Sequence, residues 1–138
     1  LTSKEVELLL AQPDIKTIKG LRDRAMLEVM YATGIRVTEL IDLNCEDVNL
    51  DLGIVKCAGT KKTRAIPLYP AALRALTVYL RDVRPVMIAD PKETALFVNI
   101  NSKNSSWIFL YCLVYKILTP WAISAISASK FLNENITI

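Results

Sequence analysis

The side chains most often used in catalysis and metal binding are unevenly represented in this chain of 138 residues. Histidine is absent, which excludes a Ser-His-Asp triad, a histidine general base and an HExxH metal site. Cys45, Cys57 and Cys112 have no paired spacing, so neither a disulfide framework nor a zinc site is indicated. We therefore expect no metal and no cofactor, and we expect buried or half-buried thiols in a reducing cytoplasm.

Two short groups of cationic residues are the next candidates for chemistry. Arg36 follows a glycine that is well placed to end a helix, and Lys61 and Lys62 lie in a turn shortly before Arg64. Taken alone, such an arginine is most often a surface residue or the partner of a carboxylate, and a Lys-Lys pair is usually a solvated loop tip. The net charge of +3 says equally little about a nucleic-acid partner by itself.

The elements that must position these cations are mainly helical. Thr2 and Glu5 fit a capping box at the start of a short helix that ends near Pro13. A second helix is predicted over residues 20–33, with Gly34 as the left-handed residue after its end. Residues 37–43 are predicted as a third short helix, and Pro70 stands in the first turn of a fourth. The apolar stripe of the second helix comprises Leu21, Ala25, Leu27, Met30 and Tyr31, and that of the fourth comprises Leu73, Leu76, Tyr79, Leu80 and Val83.

Three strands are predicted between the third helix and the fourth. Residues 47–50 and 54–57 flank a turn at 51–53, and residues 64–68 follow a turn at 59–62. Residues 95–99 are predicted as a further short strand. Helices, a meander and another helix make an α+β fold, mainly helical with a small three-stranded antiparallel β-meander.

The composition changes near residue 105. Residues 106–138 contain only three charged side chains, Lys116, Lys130 and Glu134, and residues 107–118 are almost entirely apolar. A membrane span, a buried core helix and a product of a shifted reading frame all remain possible for this tail. A spanning helix needs about 20 apolar residues, and Lys116 and Pro120 interrupt the run, so we expect no membrane partner. We favour the shifted frame, because it explains the abrupt loss of charged residues and glycine. The first fifteen residues contain charges and lack the apolar core of a signal peptide.

Several motifs occur in order and with consistent spacing. The segment YATGIRVTEL at residues 31–40 resembles the box around the first catalytic arginine of tyrosine recombinases, the phage integrase family, and especially of its Xer branch. Residues 47–68 resemble the family's β-meander, whose hairpin presents a lysine before a strand of the form R-x-[VI]-P-L. The opening residues 1–6 and the segment LFVN at 96–99 are also similar to family segments. The resemblance implies that residues 1–105 form the first half of a catalytic domain, followed by an apolar tail of uncertain origin at 106–138.

The family reaction, as the resemblance implies it, is phosphoryl transfer on DNA. A tyrosine hydroxyl attacks the scissile phosphate to give a 3′-phosphotyrosine, and the step later reverses onto a new strand. Arg36 is then the first guanidinium clamp on the phosphate, supported by Glu39. Lys61 is expected to protonate the leaving 5′-oxygen; Lys62 is the alternative, because this hairpin is one residue shorter than the commonest Xer form. The residues expected to contact DNA phosphates are Lys56, Lys62 and Arg64.

The same resemblance identifies what is missing. The family's second half carries a box of the form H-x-L-R-H and a terminal tyrosine, whereas this chain has no histidine and no arginine after Arg84. Tyr111 and Tyr115 lack the family's flanking pattern. We therefore expect a truncated recombinase domain that binds double-stranded DNA, takes no small-molecule substrate and is inactive alone. The alternative is a non-catalytic module that binds DNA or a full-length recombinase, or that associates with itself.

Overall fold

The computed structural model describes residues 2–59 and 61–99, and within them helices pack against one face of a small sheet. The helices are α1 (Ser3–Leu10), α2 (Ile18–Thr33), α3 (Val37–Ile41), α4 (Pro70–Val78) and α5 (Arg84–Met87). A 3-10 turn at Cys45–Asp47 leads into the strands β1 (Val48–Asn49), β2 (Ile54–Ala58) and β3 (Thr63–Pro67). The predicted α+β fold, mainly helical with a three-stranded antiparallel meander, is confirmed.

Local capping chemistry sets the ends of the first two helices. Thr2 and Glu5 form the predicted capping box, in which the Thr2 backbone N–H donates to the Glu5 carboxylate over 2.6 Å. Helix α2 begins at Ile18, two residues before its predicted start, because the Thr17 hydroxyl accepts the Gly20 N–H over 2.9 Å. Gly34 ends α2 at φ 62° and ψ 21°, the left-handed conformation that was predicted.

The sheet has the order β1-β2-β3 with antiparallel neighbours. Strand β1 is shorter than predicted, because residues up to Asp47 form the 3-10 turn, in which the Asp47 carboxylate accepts the Asn44 N–H over 2.8 Å. Cys57 lies opposite Arg64 in the register of β2 and β3, while Lys56 lies opposite Ala65. Since side chains alternate between the faces of a strand, Arg64 shares the face of buried Cys57, and Lys56 lies on the other face.

The core lies between α2, the sheet and the long helical stretch that begins at Pro70. Leu40 and Leu43 are buried as predicted, and the other expected core residues are half-buried against the same cluster: Val37, Leu73 and Leu80. The prediction that Tyr31 belongs to the apolar face of α2 is wrong, since Tyr31 is 58% exposed. Its ring instead rests edge-on against Tyr69, with centroids 6.0 Å apart.

The helical stretch after Pro70 contains a π-helical turn at Tyr79–Val83, which joins α4 to α5. The Arg84 N–H donates to the Tyr79 carbonyl in this wider turn. Pro85 has no N–H to continue a regular α-helical ladder, and its ring needs space against the preceding turn. The widening accommodates Pro85 and keeps Tyr79 and Val83 buried on the core side.

The prediction of a strand at residues 95–99 is wrong. Only Ala95 forms a bridge, to Asn44, and the segment is otherwise held by side chains. The Tyr79 hydroxyl donates to the Leu96 carbonyl over 2.9 Å and accepts the Val98 N–H over 3.2 Å. Because these groups supply the hydrogen bonds that a neighbouring strand would supply, the segment is buried without joining the sheet.

The predicted tail at residues 106–138, with Cys112, Tyr111 and Tyr115, lies outside the described residues. Within the described part, no helix is long and apolar enough to cross a membrane. The two thiols that the structure describes are free, with Cys57 buried and Cys45 half-buried as expected. Burial raises the pKa of both thiols above the usual range.

Candidate functional site

Arg36 is presented to solvent by the tight connection between α2 and α3. Gly34 reverses the chain at its positive φ, Ile35 inserts into the core at 5% exposure, and Arg36 then points outward from an extended backbone. The Thr33 hydroxyl donates to the Val29 carbonyl over 2.6 Å and so ties the last turn of α2 to itself. The buried isoleucine between the glycine and the arginine therefore fixes which way Arg36 faces.

Glu39 stabilises the start of α3 and lies beside the arginine. Its carboxylate accepts the Arg36 backbone N–H over 2.8 Å, which leaves the Arg36 guanidinium uninvolved in the cap. The other carboxylate oxygen of Glu39 lies 3.8 Å from the Arg64 guanidinium of β3. Glu39 thus contacts both Arg36, in the segment between α2 and α3, and Arg64 of the sheet.

The turn between β2 and β3 brings the two lysines to the same side as Arg36. The Gly59 N–H donates to the Lys62 carbonyl over 3.2 Å and closes the turn. A Cβ at position 59 would lie 2.8 Å from that carbonyl oxygen, so the close approach of the two backbones requires glycine. Lys61 and Lys62 are both exposed at the tip.

The strand register places Arg64 on the same side as Arg36 and the two lysines. It lies opposite Cys57, and the neighbouring Arg64 and Glu39 charges both act on the buried Cys57 thiol. Its own side chain is 56% exposed, and its contact with Glu39 is long for an ion pair, at 3.8 Å. Arg64 therefore lies beside Glu39 and is still accessible to an external anion.

These residues line one open cleft of about 580 Å³, which we call the cationic cleft: Gly34, Arg36, Glu39, Gly59, Lys61, Lys62 and Arg64. Four cationic side chains and one carboxylate give it a local charge of +3. The guanidinium of Arg36 and the ammonium groups of Lys61 and Lys62 form no hydrogen bond or ion pair with any residue that the structure describes. Converging cations that lack internal partners can bind a phosphate group.

Of the five predicted site residues, the structure brings four together and places one elsewhere. Arg36, Lys61, Lys62 and Arg64 line the cationic cleft, whereas Lys56 is exposed on the opposite face of the sheet. The role of Lys56 in DNA binding stays a prediction. No group of three or more His, Cys, Asp or Glu side chains suited to a metal ion occurs in the described part of the chain.

A polar cluster that the sequence analysis did not find joins α2 to the residue before α4. Glu28 of α2 is only 1% exposed, and its carboxylate accepts hydrogen bonds from Arg24, over 2.8 Å, and from the Tyr69 hydroxyl. The only sequence signal is a glutamate on the apolar side of α2, and its partner is 41 residues away. Local sequence contains no information about such a long-range pair.

Comparison with known proteins supports the motif resemblance. The model of the phage integrase family matches residues 1–111. A tyrosine recombinase XerD of Staphylococcus epidermidis is 46% identical over 103 residues, which is 74% of this chain and 35% of the relative. A XerD of Staphylococcus aureus is 45% identical over 100 residues, 72% of this chain and 34% of the relative. The chain thus spans about a third of the length of the curated relatives that it matches.

Solved structures show the same fold. The XerA recombinase superposes with a TM-score of 0.71 at 25% identity, covering 86% of this chain and 41% of XerA. The XerH site-specific recombinase, in a pre-cleavage complex with its difH substrate, gives a TM-score of 0.69 at 23% identity, covering 86% of this chain and 35% of XerH. The family match extends over most of the residues and includes both parts of the cationic cleft. This chain therefore belongs to the phage integrase family of tyrosine recombinases.

Proposed function

We propose that the cationic cleft is the DNA phosphate-binding half of a tyrosine recombinase active site, and that the chain binds double-stranded DNA through it. The observation that carries this proposal is the convergence of Arg36 with Lys61, Lys62 and Arg64 on one open cleft. XerH is known as a complex with its DNA substrate, and we extend that class of ligand to this chain. The unpaired thiols of Cys45 and Cys57 favour a reducing compartment, so we assign this role to the cytoplasm.

In this proposal Arg36 acts on the scissile phosphate. Attack by an oxygen nucleophile increases the negative charge on the non-bridging oxygens, and a planar guanidinium can donate two parallel hydrogen bonds to them. A lysine could not reproduce that geometry. The absence of an internal partner for the Arg36 side chain among the described residues supports this role, because the group is available without first breaking a bond.

The hairpin supplies the proton in the same proposal. Lys61 at the exposed tip donates a proton to the leaving 5′-oxygen, and Lys62 is the alternative donor because both side chains line the cleft. Arg64 binds an adjacent phosphate and positions the duplex without reading bases. The flexible ammonium groups and the tight Gly59 turn allow the tip to approach the DNA backbone.

The 138 residues alone do not complete this chemistry in our proposal. The chain contains no histidine and no arginine after Arg84, so a second guanidinium clamp on the reacting phosphate is missing. Removing single groups of this kind commonly costs about 10²–10⁴ in rate. A suicide DNA substrate incubated with the pure chain should give no covalent protein–DNA adduct on a denaturing gel, and a labelled adduct would contradict this part of the proposal.

A second function needs only the same cleft. The chain could act as a module that binds DNA, or binds a full-length recombinase, without any chemistry. The observation that favours it is the local charge of +3 on a cleft that has only half of the expected clamps. Addition of this chain to a full-length XerD-type recombinase and its DNA site would then alter the rate of strand exchange, whereas a mere inactive fragment would leave that rate unchanged.

DNA binding is the test that both functions share. Affinity for a short duplex, measured by fluorescence anisotropy from about 50 to 200 mM salt, should fall linearly on logarithmic axes, with a slope that counts the phosphate contacts. Arg36→Gln should weaken binding about 10-fold and reduce the slope by about 1. Arg81→Gln is the matched control, because Arg81 is an exposed arginine paired with Asp82 outside the cleft. Equal losses in the two variants would reject the cleft as the DNA site.

A further inference from the structure

The cations of the cleft belong to two separate segments of the chain. Arg36 follows α2 through the Gly34 connection, whereas Lys61, Lys62 and Arg64 belong to the β2–β3 hairpin. A phosphate can contact both groups only if α2 and β3 keep a fixed separation. The Glu39–Arg64 contact links α3 to β3 beside the cleft, and a second contact joins the end of α2 to the chain just after β3.

Tyr69 makes that contact in two ways. Its hydroxyl donates a hydrogen bond to the buried Glu28 carboxylate, and its ring packs against the edge of the Tyr31 ring with centroids 6.0 Å apart. Glu28 and Tyr31 both belong to the last two turns of α2, immediately before Gly34. Tyr69 itself lies two residues after the end of β3. The two contacts thus connect the elements that carry the two halves of the cleft.

The position of Tyr69 in its own helix supports a role outside that helix. Tyr69 is the N-cap residue of α4, where Ser, Thr, Asp or Asn would normally cap the first amides. Its side chain makes no capping hydrogen bond, and Pro70 begins the helix instead. The Tyr69 side chain therefore contacts α2 and does not cap the start of α4.

Glu28 also bonds to Arg24, so its carboxylate has a fixed position when it accepts the Tyr69 hydrogen bond. Its second carboxylate oxygen accepts the Arg24 guanidinium over 2.8 Å, and its side chain is only 2% exposed. Burial and the Glu28 bond raise the pKa of Tyr69 well above its usual value. The Tyr69 hydroxyl therefore keeps its proton and its donor role throughout the neutral range.

We propose that Tyr69 is a positioning residue, which sets the distance between Arg36 and the lysine hairpin by fastening β3 to the end of α2. The proposal rests on the function proposed above. Strand β3 has five residues, or about 16 Å at the usual rise per residue, between Tyr69 and the hairpin tip. A rotation of a few degrees at the Tyr69 end therefore displaces the lysines by about 1 Å, which is enough to weaken a contact that depends on geometry.

The direct test of position uses the glycines of the full chain. The chain has only four, Gly20, Gly34, Gly53 and Gly59, so labelling with [¹⁵N]glycine gives four assignable backbone signals. In Tyr69→Phe, which keeps the ring and removes the hydroxyl, the Gly59 signal at the hairpin should shift or broaden. Gly20, at the distant start of α2, should stay unchanged and serves as the internal reference.

The functional readout is DNA affinity at low salt. Tyr69→Phe should weaken duplex binding about 5-fold, because a cation displaced from its phosphate loses much of a charge-assisted hydrogen bond. Tyr79→Phe is the matched control, since Tyr79 also loses buried hydroxyl bonds but its partners, Leu96 and Val98, lie outside the cleft. It should lower the melting temperature and leave both the Gly59 signal and the DNA affinity as in the original chain.

Each outcome separates the two proposals. An unmoved Gly59 signal in folded Tyr69→Phe would overturn the positioning role, whatever the DNA affinity. If the original chain binds no DNA, the DNA-binding function fails, and the Gly59 signal still decides whether Tyr69 holds the hairpin. Should Tyr69→Phe not fold, Tyr31→Leu removes only the ring contact of an exposed side chain. The Gly59 signal should then shift in the same way, by a smaller amount.

Discussion

Two groups of cationic side chains in this molecule differ in burial and in hydrogen-bond partners. Arg22 is 1% exposed, and its guanidinium donates to the Val98 carbonyl over 3.1 Å and to Asp23 over 3.0 Å. Arg84 is half-buried and donates to the Glu93 and Ala95 carbonyls over 2.7 Å. Arg36 and Lys61 of the cationic cleft are exposed and have no such acceptor among the described residues.

The difference follows from the cost of burying a charge. A guanidinium that leaves water must regain its hydrogen bonds from the protein, so Arg22 and Arg84 are surrounded by acceptors. Besides Asp23, those acceptors are the backbone carbonyls of Glu93, Ala95 and Val98, which lie outside the β-meander. In the cleft the donors remain hydrated and can exchange water for an anion. The partners of a cation, and not its residue type, distinguish a structural role from a binding role.

The same dipeptide occurs in a buried and in an exposed setting, and the buried arginine also donates to the Val98 carbonyl. Arg22–Asp23 and Arg81–Asp82 are both Arg-Asp neighbours, with ion pairs of 2.9 and 2.8 Å. The side chains are 1% and 17% exposed in the first pair, and 70% and 51% exposed in the second. Exposed pairs contribute little to stability, whereas removing one partner of a buried pair leaves the other unsatisfied.

The largest expected effect is therefore on stability, at the buried pair. Arg22→Ala should lower the free energy of unfolding by about 3–5 kcal/mol, because it removes a buried guanidinium that donates to the Val98 carbonyl and to Asp23. Arg81→Ala should change it by less than about 0.5 kcal/mol. Urea unfolding followed by circular dichroism measures both. Similar values for the two variants would mean that burial does not govern the contribution of these pairs.

The segment that Arg22 holds should also be sensitive to alkali, through Tyr79. Burial is the main cause that raises the pKa of Tyr79 to about 12, from a usual value of 10. Because the folded-state pKa is the higher one, the stabilisation is fully present below pH 10 and is lost as the pH rises from 10 towards 12. The free energy of unfolding should fall by about 3 kcal/mol over that interval.

The measurement compares two proteins to remove every other titration. At neutral pH, Tyr79→Phe should be less stable than the original chain by about 1–3 kcal/mol, since the Leu96 carbonyl and the Val98 N–H lose their partner. Urea unfolding at intervals between pH 9 and 11.5 should show this gap becoming narrower. A gap that stays constant over that range would contradict the role of the buried hydroxyl.

The features predictable from sequence are those set by neighbouring residues. The capping box at Thr2 and Glu5 and the left-handed Gly34 depend on groups within four residues of each other, and both are found. The strand expected at residues 95–99 depended instead on distant partners. Leu96, Phe97 and Val98 have the composition of a strand, but the hydroxyl of Tyr79 and the guanidinium of Arg22 occupy their backbone groups.

The same distinction applies to the site. The family motifs indicated Arg36 and the lysine hairpin, because each motif is a continuous segment of sequence. That Arg64 shares the cleft while Lys56 does not depends on the register between β2 and β3, which follows from the length of the turn. The motifs do not fix that register, so the sequence alone predicts Lys56 and Arg64 together as phosphate contacts. Glu28 and Tyr69, which are 41 residues apart, had no local signal at all.

The two faces of the sheet provide the next comparison, and its effect is on DNA affinity. Lys61→Gln and Lys62→Gln should each weaken duplex binding about 3- to 10-fold and lower the salt slope by about 1, since both side chains line the cleft. Lys56→Gln, on the opposite face, should change affinity less than about 2-fold if DNA binds only through the cleft, and by as much as the other two if the predicted Lys56 contact forms. Anisotropy titrations at several salt concentrations compare the three. Equal losses would mean that DNA also reaches the face that carries Lys56.

The smallest expected effect comes from the single carboxylate of the cleft. Glu39→Gln keeps an oxygen that accepts the Arg36 N–H and so preserves the start of α3, but it removes the charge that lies 3.8 Å from Arg64. The cleft becomes more positive and Arg64 loses its partner, so affinity for non-specific duplex DNA should rise about 2-fold at low salt and the gain should vanish at high salt. A loss of affinity would instead show that the contact with Glu39 is needed to direct Arg64 to the phosphate. Arg64 would then depend on an internal partner, as the buried Arg22 and the half-buried Arg84 do, although its side chain is exposed.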